Sequence, residues 1–364
     1  MIPNSTLLPA LTSTFQDLLA NPPPAIPSPV TVPKRASVAL VLRVQPNPAH
    51  LPAPTAGTPA SIEEFFQQEW VSHGEVELLF IKRAARKGDR WTSHVAFPGG
   101  KRDPEDGGDR EAAERETLEE VGLDLSTEPN LYSGHLPDRI ITTSWGTTPL
   151  MVLCPFMFLL LSPTPPALSL QPTEVASIHW VPLRTLLSPD FRTFETTDVS
   201  DRLARQFTGF HGRIIRYGLR LSLGHMFFAA IELQPTTSVF SPFGNDFLGE
   251  RERLVVWGLT LGVLADFLDM LPPAGGTLDM WVWPTLTAPD VQLVAKVMTS
   301  GLRKRNLEAA REAVASGRND RGSTVHMLLE GYLIEVRKAV WITIAARAAV
   351  GTAVIGTVLA RWLK

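Results

Sequence analysis

The sequence predicts an α/β domain, because apolar strand-like segments flank a helix that is rich in carboxylates. Residues 37–43 and 77–83 are rich in Val, Leu and Ile and are bounded by polar residues, which is typical of strands. Residues 149–162 are almost wholly apolar but too short to span a bilayer comfortably. We interpret them as a central buried strand with a bulge.

The carboxylate helix begins shortly after Gly99-Gly100 and ends near Gly122. At about 100° per residue, Glu116, Glu119 and Glu120 share one sector of the helix. Like charges three and four residues apart repel, so stability alone does not explain this pattern. Hard divalent cations bind oxygen ligands and would offset the repulsion. The spacing therefore predicts a metal site. The residues expected to face the core from the neighbouring sector are Ala113, Thr117, Leu118 and Val121.

Residues 115–123, Arg-Glu-Thr-Leu-Glu-Glu-Val-Gly-Leu, resemble the second half of the Nudix hydrolase box, Arg-Glu-apolar-any-Glu-Glu-any-Gly-apolar. The first half differs, because the early Glu of the family falls at Gly107 and its Gly at Lys101. The chain instead has Phe97-Pro98-Gly99-Gly100 followed by an acidic run over 103–106. This arrangement resembles the coenzyme A diphosphatase branch of the family.

The resemblance implies a Nudix fold, in which a mixed β-sheet is sandwiched between α-helices, and metal-dependent hydrolysis of a diphosphate bond. It implies that Glu116 and Glu120 bind Mg²⁺ or Mn²⁺, with Glu119 as a further ligand or as a base. Arg115 belongs to the same catalytic group and is expected to orient a carboxylate. In the coenzyme A branch the products are 3′,5′-ADP and 4′-phosphopantetheine derivatives.

The predicted substrate-binding residues are Arg83, Gly99 and Gly100. Glycines let the backbone approach a phosphate, and the start of the following helix favours anions. Arg83 matches an arginine at the end of a strand in the coenzyme A branch. Residues 91–94, Trp-Thr-Ser-His, replace the His-Pro-Gly step of that branch, whereas Trp-Gly-Leu-Thr at 257–260 resembles its end.

We divide the chain into a Pro-rich flexible N-terminus, a Nudix domain, a helical linker and an apolar C-terminal helix, over 1–35, 36–272, 273–330 and 331–364. A short helix is expected around residues 14–20 of the first segment. An insertion is predicted at about 188–250. Its arginines could bind substrate phosphates or form a solvated basic face; they are Arg202, Arg205, Arg213, Arg216 and Arg220.

Residues 339–360 are apolar except for Arg347 and would cover about 33 Å as a helix. A membrane anchor, an interfacial helix and a soluble core helix all remain open, because Arg347 is costly near the middle of a bilayer. The single cysteine suits a reducing compartment, and we find no secretory signal. We therefore expect an intracellular, membrane-associated protein.

The net charge of −3 argues against a general nucleic-acid binder. Three functions remain on the sequence alone. The first is hydrolysis of coenzyme A or acyl-CoA, and the second is the same chemistry on another nucleoside diphosphate derivative, such as ADP-ribose or a dinucleotide. The third is a Nudix-fold binding module at a membrane without turnover.

Overall fold

The computed structural model describes residues 2–30, 32–52, 57–86, 92–127, 129–143, 148–164, 167–198, 209–242, 253–273, 276–279, 281–315 and 323–363. The strands are β1 Arg35–Gln45, β2 Glu75–Arg83, β3 Val95–Ala96, β4 Gly99–Lys101, β5 Asn130–His135, β6 Arg139–Thr142, β7 Pro149–Leu160, β8 Val175–Pro182, β9 Arg192–Thr197, β10 Met226–Glu232, β11 Thr237–Phe240, β12 Val255–Trp257 and β13 Thr285–Leu286. The helices are α1 Asn4–Ala20, α2 Ile62–Phe66, α3 Glu69–His73, α4 Asp109–Val121, α5 Leu183–Leu187, α6 Gly209–Leu223, α7 Gly258–Leu268, α8 Gly276–Asp279, α9 Pro289–Ala315, α10 Thr324–Leu329 and α11 Tyr332–Trp362.

Nine strands form the main sheet, in the order β11-β8-β2-β1-β7-β5, with β3 on β2, β4 on β1 and β6 on β7. Strands β1 and β7 are parallel, and the other pairs in this sheet are antiparallel. The apolar run from residue 149 is a central strand, as predicted. The register shifts fall where β5 and β6 pair with it, between Tyr132 and His135 and between Ile141 and Thr142.

Strand β1 is buried on both faces because its apolar side chains alternate between two cores. Leu40 and Leu42 belong to the core that also contains buried residues of α1, α2, α3 and α7. Ala39 and Val41 belong to the opposite core, which is covered by α4. A mixed sheet between two helical layers confirms the predicted α/β fold.

Helix α1 is part of the first core, so the prediction of a flexible N-terminus is wrong for residues 4–20. Leu7, Leu11 and Phe15 recur every four residues and are fully buried. The ring of Phe15 stacks on those of Phe66 and Phe267, at centroid distances of 6.2 and 6.4 Å. These apolar side chains pack α1 against the first core. The prolines that suggested flexibility lie mostly after the end of α1.

Phe15→Ala is expected to lower the free energy of unfolding by about 3–5 kcal/mol, because it leaves a cavity beside the two aromatic rings on which Phe15 stacks. Urea denaturation measures this change. Leu19→Ala, at an exposed position of the same helix, is the control and should change stability by less than about 1 kcal/mol. Equal effects for the two variants would contradict a core role for α1.

A second, four-stranded antiparallel sheet contains β12, β10 and β13 in that order, and β9 pairs along the other edge of β10. It combines residues of the predicted insertion with residues far beyond it. For example, Met226 of β10 pairs with Leu286 of β13. The boundaries predicted at 250 and 272 therefore cut through one sheet, and the region 273–330 is more than a linker.

Candidate active site

Helix α4 packs on the sheet through one face and ends at Gly122, whose φ of 71° is a left-handed C-cap. Ala113, Thr117 and Val121 are buried, as predicted. The Thr117 hydroxyl donates to Ala113 O at 2.7 Å, which explains how threonine occupies an apolar slot. The prediction for Leu118 is wrong, because this side chain is 46% exposed about 100° beyond Thr117.

Glu120 is the most deeply buried carboxylate of the predicted site, at 1% exposure. Its Oε2 accepts a hydrogen bond from the Gly99 N–H at 2.8 Å, and its Oε1 lies 3.9 Å from Arg83 Nη1. Burial raises the pKa of Glu120 to about 8, with the Gly99 N–H and Arg83 opposing the rise and Glu116 and Glu174 adding to it. In the absence of a cation, burial therefore favours the protonated form of this carboxyl.

Gly99 and Gly100 are required by close backbone contacts. Gly99 has a φ of 149°, and a Cβ there would lie 2.2 Å from Ser37 O. A Cβ on Gly100 would lie 2.4 Å from the Glu116 carboxylate. The glycine pair therefore lets β4 bind β1 on one side and approach α4 on the other.

Arg115 is surrounded by protein oxygens. Its Nε and Nη2 donate to Asp106 at 2.9 and 3.1 Å, and Nη2 also donates to Lys101 O at 3.0 Å. Its Nη1 donates to Glu116 and Glu119 at 3.2 and 3.0 Å. The hydrogen bond with Asp106 is the main reason that the Arg115 pKa is raised. Arg115 is thus placed to position carboxylates rather than to touch substrate.

Asp106 was not singled out in the sequence, although it belongs to the acidic run noted there. A turn, in which Asp106 Oδ2 accepts from the Asp103 N–H at 2.8 Å, brings it back to the helix. The hydrogen bond from Arg115 lowers the Asp106 pKa. In the sequence, Asp106 is recognisable only as an acidic residue nine positions before Arg115. The turn seen in the structure is what brings the two side chains together.

The carboxylates on α4 suit a hard divalent cation in their chemistry. Glu116 is largely buried and burial raises its pKa, so a cation there would relieve an unfavourable charge. The Glu119 side chain is 56% exposed and forms an ion pair with Arg115 at 3.0 Å. Among the described residues, oxygens of Glu116, Glu119 and Glu120 do not all lie within 4.8 Å of one another. A shared cation therefore requires side-chain rotation.

A loop over 169–174 adds a further carboxylate, Glu174, near the site. The Ser169 and Gln171 N–H groups donate to Val121 O and Glu120 O at 2.9 and 3.0 Å, which ties the loop to the end of α4. Glu174 forms an ion pair with Arg86 at 2.7 Å. It lies close enough to raise the pKa of Glu116 and of Glu120.

Residues 59–200 match the NUDIX domain family. The chain contains a Nudix domain. This assignment makes it a hydrolase that acts on a diphosphate bond, and it agrees with the carboxylates on α4. Nudix hydrolases typically use divalent metal ions.

An uncharacterised protein of Schizosaccharomyces pombe is 32% identical over 285 residues, which are 76% of this chain and 78% of that protein. An Ap4A hydrolase of Caenorhabditis elegans matches 52% of this chain and 97% of its own, at 16% identity and a TM-score of 0.27. A MutT/nudix family protein of Enterococcus faecalis matches 41% of this chain but only 43% of its own length, at 16% identity and a TM-score of 0.26. These two structural likenesses are too low to bear on the substrate.

The second sheet adjoins the Nudix site through the strand that leads to the glycine pair. The Thr260 hydroxyl donates to Val95 O at 3.2 Å, and the rings of His94 and Trp257 lie 4.7 Å apart. His94 O accepts from the Arg83 N–H at 3.0 Å. The two sequence features that bear on the coenzyme A branch, 92–94 and 257–260, are therefore neighbours in space. Trp91, Arg202 and Arg205 lie outside the described residues.

Proposed function

We propose that this Nudix hydrolase cleaves the diphosphate of coenzyme A or an acyl-CoA into 3′,5′-ADP and a 4′-phosphopantetheine derivative. The observation that carries the proposal is the convergence of Gly99 and Arg83 on one carboxylate, Glu120. Both are features of the coenzyme A branch in this sequence. The Trp-Gly-Leu-Thr step at 257–260, which contacts the strand before the glycines, adds support.

We propose Mg²⁺ or Mn²⁺ as the cofactor, with Glu116 and Glu120 as ligands and Glu119 as a further ligand or base. A bound divalent cation would offset the charge of the diphosphate oxygens and lower the pKa of water. Arg115 holds Glu116 and Glu119 in place, and the Gly99 N–H orients Glu120.

Arg83 is proposed to bind a substrate phosphate together with Gly99 and Gly100. Its Nη1 forms an ion pair with Glu120 Oε1 at 3.9 Å, and its side chain is 25% exposed. A guanidinium so placed can turn toward a phosphate, which it recognises through paired N–H donors. The glycines keep the neighbouring backbone free of Cβ atoms.

A second candidate is hydrolysis of another nucleoside diphosphate derivative, such as ADP-ribose or a dinucleotide. It is favoured by the segment before the glycines, where Thr92-Ser93-His94 replaces the His-Pro-Gly step of the coenzyme A branch.

Steady-state kinetics with coenzyme A, an acyl-CoA, ADP-ribose and NADH, in Mg²⁺ or Mn²⁺, distinguishes the candidates. We expect kcat/KM for coenzyme A or the acyl-CoA to exceed the others at least tenfold, about 1.4 kcal/mol of transition-state binding. Glu120→Gln under the same conditions controls for contaminating hydrolases. Preference for ADP-ribose or NADH would support the second candidate, and no turnover of any compound would overturn both.

We also infer that the protein is intracellular and associates with a membrane through its C-terminal helix. Of the described residues, one helical stretch, Thr324–Trp362, is long and apolar enough to cross a membrane. Only 6% of the most apolar 18-residue part of this stretch is buried, whereas the core helix of a soluble protein is mostly buried. Alkaline carbonate extraction of cell membranes tests the inference, and full release of the intact chain at neutral pH would contradict it.

A further inference from the structure

Helix α6 exposes apolar side chains on one face. Phe210, Ile214 and Tyr217 are 72%, 56% and 66% exposed, and they lie within about 60° of one another around the helix. A surface helix of a soluble domain normally presents polar residues outward. An exposed stripe of this kind therefore indicates a contact with something other than water.

The outward stripe is not needed to hold α6 in the fold. The opposite face supplies Leu223, which is buried, and Leu219, which is partly buried, to a core cluster. The same cluster contains Met226 and Leu286 of the second sheet and Val336 of α11. Helix α6 therefore packs against the protein through one apolar face and exposes a second apolar face to its surroundings.

Basic side chains border the exposed stripe. Arg213 and Arg220 lie about 60–80° to one side of Phe210. Arg213 is exposed, and Arg220 forms an exposed ion pair with Asp198 at 3.4 Å. Apolar side chains beside arginines are the pattern of helices that lie in the interface of an anionic membrane.

The end of α6 meets α11 where α11 leaves the domain. Arg347 Nη1 donates to Ser222 O at 2.6 Å, while Nε and Nη2 bind Asp290 of α9 at 2.7 and 2.6 Å. Before this point Ala339, Val340 and Thr343 are buried in protein. These three side chains therefore face the protein, and the part of α11 that is open to lipid on every side begins after Arg347, later than the predicted start at 339.

The protruding part of α11 is suited to lipid on all sides. Residues 348–360 contain no charge, and the hydroxyls of Thr352 and Thr357 donate to carbonyls of their own helix. The exposed large side chains are Val350, Val354, Ile355, Val358, Leu359 and Trp362. The segment 348–362 is about 22 Å long, shorter than the roughly 30 Å hydrocarbon core, so it would enter rather than cross it, with the guanidinium of Arg361 near its end extended toward the far headgroups.

We propose that the exposed stripe of α6 and residues 348–362 of α11 form one docking surface for a bilayer with anionic headgroups. Helix α6 lies in the interface with its arginines at the headgroups, and α11 enters the hydrocarbon beside it. A protein partner would cover one side of α11, whereas lipid covers every side. The proposal rests on the proposed membrane association and adds α6 to it.

Flotation of the full chain with phosphatidylcholine vesicles, with or without phosphatidylserine, tests the surface. Phe210→Ser/Tyr217→Ser is expected to lower partitioning onto anionic vesicles at least tenfold, because two large apolar contacts are lost. Val354→Asp/Val358→Asp, at exposed positions of α11, should lower it on both kinds of vesicle. High salt should weaken binding to anionic vesicles only. Turnover of a soluble substrate should stay unchanged in both variants.

Val30→Ser/Leu51→Ser, which changes exposed apolar residues elsewhere, is the matched control and should float like the wild type. If the α6 variant floats like this control while the α11 variant does not float, the role of α6 is overturned and the membrane association stands. If the wild type floats with neither vesicle, both fail. A wild type that stays unbound but forms a dimer lost in the α6 variant would assign the stripe to a second copy and also overturn the proposal.

Discussion

Glu120→Gln is expected to lower kcat at least 100-fold while leaving the metal-free melting temperature at pH 5 nearly unchanged. The amide has the shape of the protonated carboxyl that burial favours in the metal-free protein, and its oxygen can still accept from the Gly99 N–H. It cannot offer a charged ligand to a divalent cation. Metal-dependent turnover and thermal melting measure the two halves of the prediction.

The same variant should change how stability depends on pH. The native pKa of Glu120, about 8, lies above its ordinary value of 4.5, so the native state holds the proton more tightly than the unfolded chain. The stabilising contribution is complete below pH 4.5 and is lost as the pH rises to about 8. Without metal, wild type and Glu120→Gln should be similarly stable at pH 5, and the variant should be more stable at pH 8.

Urea denaturation in the presence of a chelator, at pH 5 and at pH 8, tests this pH dependence of stability. Glu105→Gln, at an exposed position of the acidic turn, is the control and should follow the wild type in activity and in pH dependence. A Glu120→Gln protein that melts earlier at every pH would make Glu120 a structural residue. A Glu120→Gln protein with normal turnover would show that Glu120 is not a metal ligand.

Asp266→Ala is expected to lower the free energy of unfolding by about 3–5 kcal/mol, because it leaves the buried Arg139 without its carboxylate. Asp266 also accepts from the Thr324 N–H at 3.0 Å and the Ser323 hydroxyl at 3.3 Å, at the start of α10. One side chain on α7 thus joins β6 of the main sheet to the C-terminal helices. Urea denaturation measures the loss.

Two variants separate the buried charge from other effects of Asp266→Ala. Arg139→Met/Asp266→Leu removes both charges and should recover at least half of the lost stability. Glu335→Ala removes one member of the exposed pair with Lys338 and should change stability by at most about 1 kcal/mol. If Asp266→Ala behaves like Glu335→Ala, the buried pair does not join the two regions.

The carboxylate helix was the most predictable part of the site, since its spacing is local in the chain. Glu116, Glu119 and Glu120 share a sector because a helix turns by a fixed angle at each residue. The same rule misplaced Leu118, whose exposure depends on which side of α4 the sheet covers. Only the end of the helix of residues 4–20, around 14–20, was predicted, because prolines farther along the segment dominated its composition, although Leu7, Leu11 and Phe15 already had helical spacing.

The sequence by itself determined the α/β class, the Nudix box and the apolar C-terminal helix, because each depends on residues close together in the chain. Only the tertiary structure paired Asp106 with Arg115, placed Arg83 and Gly99 on Glu120, and joined α7 to α10 through Asp266. It also placed Arg347 on Asp290 and so decided where α11 leaves the protein. These contacts depend on how distant segments pack, and burial then sets the charge of groups such as Glu120.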